Sequence, residues 1–160
     1  MKKTAEERFW AKVDKTGECW LWTAARASGG YGQFWRGGKM VYSHRLAFEW
    51  THGEIPRGMH IDHKCHTHNC VRPEHLRLAT NAQNQQNRRG ANSGSATGIR
   101  GVSWHKHARK YLARVRLSGK LYHVGYFDTL KEAEAAVTAK RRELFSHDDY
   151  GDWATTTEED

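Results

Sequence analysis

Apolar positions in the first part of the chain form short patterns that glycines and polar turns interrupt. Residues 4–13, "TAEERFWAKV", carry Thr4 and Glu7 at capping-box spacing and predict a short helix. "CWLWTAA" and "YGQFWRGGKMVYSH" alternate in polarity and predict strands, the second bent into a hairpin at Gly37-Gly38. Residues 44–53, "HRLAFEWTHG", predict a buried helix that stops at Gly53.

The next stretch predicts a strand, a loop, a strand and a helix. "GEIPRG" is a turn, "MHIDHKC" is the first strand and "LRLA" is the second. Thr80 and Gln83 form another capping box, which starts a polar helix over roughly residues 80–89.

A small, polar, glycine-rich segment, "RRGANSGSATG" (88–98), predicts a linker, with bounds of 90–98. Beyond it, "RGVSWHKHARKYLARVRLSGKLYHVGYF" alternates apolar and polar residues in three segments and predicts a three-stranded antiparallel sheet. Thr129 and Glu132 cap a final helix that packs one apolar stripe on that sheet. The sequence therefore predicts an α+β protein with domains at 1–89 and 99–147 and an acidic tail at 148–160.

Charge is unevenly distributed along the 160 residues, whose formal net charge is +8. Residues 1–89 carry 15 Lys/Arg and 8 Asp/Glu, residues 90–127 carry 7 Lys/Arg and no acid, and the remaining residues carry 4 and 10. A basic stretch without carboxylates attracts polyanions, nucleic acid above all. The alternative is a solvated basic face.

The three cysteines cannot all pair, and two of them lie among histidines, which favours metal ligation in a reducing compartment over disulfides. A hydrophobic content of 38% permits only a thin core, which a structural metal would help to stabilise. With no apolar run of about 18 residues and no signal peptide, the sequence predicts a soluble, cytoplasmic protein without membrane contact.

Ligand spacing indicates a zinc site. Cys65 and Cys70 can converge on one ion if the loop between them turns back, and zinc favours thiolate and imidazole in a tetrahedral set. Cys19 and His75 are the candidates for the other two ligands. The alternatives are His66 or His68 as the imidazole ligand, or a set of buried free thiols without metal.

Asp62, His63 and Asn84 indicate a second site. The strand that carries Asp62 and His63 pairs with a second strand, which leads directly into a helix. In this arrangement the second turn of the helix lies over the first strand, so Asn84 can point at the space beside Asp62 and His63. Carboxylate and amide oxygens suit a Mg²⁺ ion that meets phosphates, and an adjacent imidazole can deprotonate a water. Alternatively, His63 is a satisfied core residue and Asn84 a solvated one.

The block "HRLAFEWTHGEIPRGMHIDHKCHTHNCVRPEHLRLATNAQN" resembles the HNH (ββα-metal) endonucleases of phages and mobile introns, the His-Cys box homing enzymes in particular. The resemblance spans about residues 17–89. It implies that His63 is the general base, that Asn84 holds a catalytic Mg²⁺ with Asp62 as co-ligand, and that Cys19, Cys65, Cys70 and His75 bind a structural zinc. His75 stands where the family usually has the asparagine that orients the base, so the group that orients His63 stays unassigned. His-Cys box enzymes also have a second zinc cluster, which is not expected here because all three cysteines are assigned to the first one.

This chemistry would hydrolyse a phosphodiester and leave a 5′-phosphate and a 3′-hydroxyl. Arg45 is the first candidate for the arginine that braces the phosphate, and Arg36 is the second.

The segment from "RGVSWHK" through "YLARVR" to "HVGYFDT" and the alanine-rich helix resembles an AP2/ERF DNA-binding domain over about residues 98–145. Such domains lay a three-stranded sheet into the major groove. The resemblance implies that six residues face DNA: Arg100, Ser103, His105, Arg114, Arg116 and His123. Ser103 and His105 replace the usual arginines, and His123 replaces a tryptophan. The resemblance therefore does not indicate which DNA bases this chain would recognise.

Together the two resemblances predict a site-specific endonuclease of phage or mobile-intron homing type, acting on double-stranded DNA as a monomer or homodimer. The alternatives are an unspecific phage nuclease for genome processing and a non-catalytic DNA-binding regulator.

Overall fold

Short helices and strands form the first half of the chain, in the order that the apolar pattern predicts, except that it did not predict the short strand Val13–Asp14 or the 3₁₀ turn Pro73–His75. The computed structural model describes residues 3–88 and 90–148. The elements are α1 (Ala5–Trp10), β1 (Val13–Asp14), β2 (Leu21–Trp22), β3 (Gln33–Arg36), β4 (Lys39–Tyr42), α2 (Ser43–His52), β5 (His60–His63), a 3₁₀ turn (Pro73–His75), β6 (Leu76–Ala79) and α3 (Asn81–Gln86). The capping boxes of α1 and α3 are both present, and α2 ends at Gly53 with φ of 93°.

Three antiparallel strand pairs surround one core in this half: β1–β2, β3–β4 and β5–β6. Phe9 lies at the centre, with its ring centroid 4.8 Å from that of Trp22, 5.4 Å from that of Phe34 and 5.0 Å from that of Trp50. Gly32 allows β3 to approach α2, because a Cβ there would clash with Ser43 Oγ and lie 2.6 Å from the Trp22 ring. This close packing positions the start of α2 beside the candidate site.

The second half is a three-stranded antiparallel sheet with one helix, as predicted. Its elements are β7 (Val102–His105), β8 (Lys110–Leu117), β9 (Lys120–Phe127) and α4 (Leu130–Leu144), in the strand order β7-β8-β9. A separate core of Val102, Ala113, Val115, Ala133 and Val137 joins sheet and helix. The likeness of this unit to AP2/ERF domains stays a prediction.

The chain divides into two compact units, with the boundary between Asn84 and Gln85. The last residues of α3 therefore group with the second unit, whereas the sequence predicts a boundary at residue 89. The cause is Arg100, whose guanidinium donates to the carbonyl oxygens of Gln85 (2.9 Å), Gln86 (2.7 Å) and Arg88 (3.0 Å). Those bonds also explain why α3 ends at Gln86, before the predicted end near residue 89.

Turns, rather than extended chain, make up most of the segment predicted as the linker 90–98. Ser95 N–H donates to the Asn92 carbonyl at 2.9 Å, and the Thr97 hydroxyl donates to the Val102 carbonyl at 2.8 Å. Of the predicted acidic tail, Asp148 is described and pairs with Arg141 at 3.3 Å; residues 149–160 lie outside the described residues. Within the described ranges, no helix combines the length and apolar character needed to cross a membrane.

Candidate active site and metal centre

Cys19, Cys65, Cys70 and His75 come together as the spacing predicts. Their ligand atoms all lie within 4.8 Å of one another, and His75 Nδ1 is 3.5 Å from Cys19 Sγ and 3.6 Å from Cys70 Sγ. Cys19 precedes β2, and an isolated bridge between Leu21 and Cys70 joins that strand to the loop of residues 65–70. Cys19 thus lies in a bend rather than in the strand predicted from "CWLWTAA".

The sulfur–nitrogen distances within the cluster match those expected around a zinc ion. Zinc–sulfur and zinc–nitrogen bonds of about 2.3 and 2.05 Å at tetrahedral angles put a sulfur and a nitrogen about 3.6 Å apart, which agrees with the two observed distances. The hydrogen bond from the Cys70 thiol lowers the pKa of Cys65 to about 4, so one thiolate is favoured even without a cation. The donor set is that of a closed structural site.

The two alternative imidazoles lie outside this cluster. His66 adopts φ of 55° and is not one of the four converging residues. His68 instead has its Nδ1 2.8 Å from the Gly29 carbonyl, and its ring stacks on Tyr31 with centroids 4.6 Å apart. His68 therefore ties the loop of residues 65–70 to the loop before β3.

His63 ends β5 and is 5% exposed. Its Nε2 is 3.0 Å from the Cys70 carbonyl oxygen, and because a carbonyl only accepts hydrogen bonds, this contact assigns the proton to Nε2 and the lone pair to Nδ1. Burial lowers the pKa of His63, which favours the neutral form. The Cys70 carbonyl is thus the orienting group that the sequence left unassigned, and as a backbone atom it has no residue-type signal.

Three further rings surround His63; the sequence analysis named His68 only as an alternative zinc ligand and missed His44 and Tyr31. Ring centroids lie 4.9 Å away for His44, 6.0 Å for Tyr31 and 6.4 Å for His68. Burial, followed by the nearby Asp62, raises the pKa of the Tyr31 phenol. The sequence feature that could have indicated a site role for these residues is their position. His44 directly precedes the candidate Arg45 in "SHR", and Tyr31 lies between glycines in "GGYG".

Asp62 is buried and ion-paired within the β5–β6 hairpin. Its strand partner is Arg77, whose Nε and Nη2 donate to the same oxygen, Asp62 Oδ2, at 3.0 and 2.9 Å. A carboxylate held by two charge-assisted hydrogen bonds has a defined orientation. Arg77 was not predicted, although its place opposite Asp62 follows from the pairing of the two predicted strands.

Asn84 lies on α3, directly after the β5–β6 pair, and is partly buried. Its backbone N–H donates to the Thr80 carbonyl at 2.9 Å. The order β5, β6, α3 is the ββα arrangement that the sequence predicts, and a shared site for Asn84 and His63 stays a prediction.

The two candidate phosphate-bracing arginines differ in their surroundings. Arg36 is paired with Glu49 at 3.7 Å and lies over the Trp50 ring at 5.6 Å. Arg45, in the first turn of α2, lines a cavity of about 510 Å³ together with Arg36, Tyr42 and Glu49. Arg36 thus already has a carboxylate partner, and the phosphate-bracing role of either arginine stays a prediction.

Most of the predicted DNA-facing residues of the second unit share one face of its sheet. Four of them are exposed and His105 is partly buried; the exposed ones are Ser103, Arg114, Arg116 and His123. Arg100 differs, because its guanidinium binds three backbone carbonyls and lies 5.5 Å from the centre of the Phe145 ring. Arg100 therefore has a structural use inside this unit.

Comparison with known proteins gives matches of two kinds. Residues 41–86, from β4 to the end of α3, match the family model of the HNH endonuclease. Protein 7.7 of Escherichia phage T7 is 38% identical over 69 residues, 43% of this chain and 53% of that protein, so this chain spans about half the length of Protein 7.7. Protein 3.8 of Escherichia phage T7 is 32% identical over 114 residues, 71% of this chain and 90% of that protein. No solved structure matches. The chain therefore belongs to a phage protein family that includes Protein 3.8 of T7, and its residues 41–86 form an HNH endonuclease domain.

Proposed function

We propose that this protein is a Mg²⁺-dependent DNA endonuclease in which His63 is the general base. The observation that carries the proposal is the hydrogen bond from His63 Nε2 to the Cys70 carbonyl at 3.0 Å, inside a domain that matches HNH endonucleases. It leaves the lone pair on Nδ1 of a buried imidazole, which is the state a general base requires before it takes a proton.

His63 would take one proton from water as the water oxygen attacks the scissile phosphorus. The bond from phosphorus to the 3′ oxygen then breaks, the 3′ oxygen takes a proton from solvent, and the products are a 5′-phosphate and a 3′-hydroxyl. A bound Mg²⁺ would stabilise charge on the phosphate and on the leaving oxygen. Arg45 is proposed to brace the same phosphate.

Asn84 and Asp62 are the proposed Mg²⁺ ligands, because amide and carboxylate oxygens suit this ion. Arg77 holds Asp62 through Oδ2, so in this proposal Arg77 orients the carboxylate. We expect Asn84→Ala and Asp62→Asn to raise the Mg²⁺ concentration needed for half-maximal cleavage, whereas His63→Ala should lower the maximal rate without that shift.

The second unit is proposed to bind double-stranded DNA through the exposed sheet face with Arg114 and Arg116, in the manner of an AP2-like domain. The support is an arginine-bearing face in a stretch, residues 90–127, that has no carboxylate. Arginine pairs with guanine are worth about 1–3 kcal/mol each, so this face would supply the site preference of a homing-type enzyme.

Plasmid nicking with purified protein in Mg²⁺ and in EDTA tests the proposal, with His63→Ala as the inactive variant. His60→Ala is the matched control, because His60 is an exposed histidine on the same strand. Cleavage by wild type and by the control, but not by His63→Ala, is expected. Full cleavage by His63→Ala would reject the base assignment.

Run-off sequencing of the cleaved DNA separates the proposed site-specific enzyme from its alternatives. One mapped site supports the homing type, and scattered cuts indicate an unspecific phage nuclease. DNA binding without cleavage would indicate a regulator.

A further inference from the structure

A second buried imidazole lies directly against His63. His44 occupies the first turn of α2, is 6% exposed, and its ring centroid is 4.9 Å from that of His63. Its Nδ1 is buried and has no hydrogen-bond partner among the described residues. Buried polar nitrogens are nearly always paired, with protein or with water, so this nitrogen requires a partner that the described residues do not supply.

The surroundings of His44 are those of a site rather than of the core. Leu46, Ala47 and Phe48, which follow on the same helix, belong to the hydrophobic core around Phe9. The ring contacts of His44 are His63, Tyr31 at 5.4 Å and Tyr42 at 5.7 Å. His44 is therefore surrounded by rings that carry polar atoms, and one of these rings is His63.

Charge distinguishes two possible roles for this imidazole. Burial, followed by His63 and Arg45, lowers the pKa of His44 to about 3. His44 is therefore neutral at physiological pH and unsuited to bind a phosphate as a cation. A neutral imidazole instead exchanges directional hydrogen bonds with a small neutral partner, and water is that partner in a hydrolase.

We infer that His44 is a second catalytic imidazole, which holds the attacking water together with His63. A centroid separation of 4.9 Å is compatible with one water that lies beside both rings, about 2.8–3.0 Å from a nitrogen of each. With its own proton on Nε2, His44 Nδ1 accepts one O–H of the water, and His63 Nδ1 accepts the other.

During attack only the O–H bond to His63 breaks, and its proton moves to His63 Nδ1. The second O–H bond stays intact and becomes the hydroxyl of the new 5′-phosphate, so His44 neither gains nor loses a proton. Holding both hydrogens of the water leaves one oxygen lone pair directed at phosphorus, which is an orientation effect. This role rests on the proposed nuclease function.

The test compares two substitutions of His44 in steady-state cleavage with Mg²⁺. His44→Phe keeps the ring shape but removes both nitrogens, and His44→Asn restores a polar atom near the Nδ1 position. We expect His44→Phe to lower kcat by about 10- to 100-fold with KM unchanged, and His44→Asn to recover most of that loss. His52→Phe, on the last turn of the same helix, is the matched control and should keep wild-type kcat.

A double-mutant cycle with His63 provides the readout that a purely structural role would not produce. If both imidazoles act on the same water, adding His44→Phe to His63→Ala should cost little further rate. DNA affinity of His63→Ala should also be the same with and without His44→Phe.

The inference is overturned if His44→Phe keeps wild-type kcat, if His44→Asn is as slow as His44→Phe, or if the two losses multiply in the double variant. A wild-type protein that binds DNA but does not cleave it would overturn the proposed function and this inference together. Wild-type cleavage with an unaffected His44→Phe variant would overturn this inference alone.

Discussion

Loss of the metal from the Cys19–Cys65–Cys70–His75 cluster should unfold the first unit and leave the second folded. The first unit has only two-stranded sheets in its described part, and isolated two-stranded pairs are marginal in water. Cys19 joins the start of the unit to a loop far along the chain, and no other described group makes such a covalent or metal link. The metal is therefore a long-range constraint on this unit in addition to its hydrophobic core.

The magnitudes support complete unfolding rather than local loosening. A structural zinc of this kind contributes about 10–16 kcal/mol at neutral pH, whereas the net stability of a domain is about 5–15 kcal/mol. Removing the ion thus removes an amount comparable to the whole stability. The second unit has its own core and no cysteine, so it should not respond.

Hydrogen exchange read by mass spectrometry measures both units in one experiment. After chelation, or in Cys19→Ser, the amides of β5 and β6 should lose protection while those of β8 and β9 keep it. Glu18→Gln is the control, since Glu18 directly precedes Cys19 but is exposed and is not one of the four ligand residues. Protected β5 and β6 amides after measured release of one equivalent of zinc would refute the reasoning, as would equal loss in β8 and β9.

Three further outcomes are expected. His63→Ala should reduce the cleavage rate by about 10²–10⁴-fold while DNA affinity in fluorescence anisotropy is unchanged; a parallel loss of affinity would contradict the base role. Arg116→Ala should weaken DNA binding and reduce the slope of log binding constant against log salt concentration by about one, with the free energy of unfolding unchanged. Arg100→Ala should instead lower the free energy of unfolding by about 2–3 kcal/mol, because its hydrogen bonds to backbone carbonyls are lost. The opposite result for the two variants would contradict a DNA-binding role for Arg116 and a structural role for Arg100. The pKa of His44 falls from 6.5 in the unfolded chain to about 3, so between these pH values only the unfolded chain binds the proton and stability falls as pH falls. From pH 7.5 to 5, wild type should lose about 2 kcal/mol more than His44→Phe in urea denaturation, and equal losses would reject the depressed pKa.

The metal cluster could be predicted because its chemistry depends on residue types at short spacing. Cys65, Cys70 and His75 lie on one strand–loop–strand segment, and a tetrahedral thiolate–imidazole site admits few residue types. The helix and strand order was equally accessible, because capping boxes at Thr4 and Thr80 are local hydrogen-bond patterns.

Contacts between segments that are distant in the sequence could not be predicted from the sequence. The resemblance to AP2/ERF domains assigns Arg100 to DNA, yet its guanidinium caps the carbonyls at the end of α3. A residue pattern does not distinguish an arginine that faces solvent from one that faces backbone. His44 gained its significance only from the packing of α2 beside β5, which no spacing rule predicts.

The Cys70 contact links the metal cluster to the proposed catalytic site. Cys70 gives its sulfur to the metal cluster and its carbonyl to His63, so the same residue fixes the loop and the tautomer of the proposed base. A displaced loop would move the carbonyl away from Nε2 and release the ring from the orientation that its Nδ1 needs for proton transfer. Metal affinity and cleavage rate should therefore decline together in variants of the loop of residues 65–70, even where the substituted side chain touches neither the ion nor the imidazole. This coupling gives a physical reason for the position of the metal cluster, whose loop directly follows the strand that ends at His63.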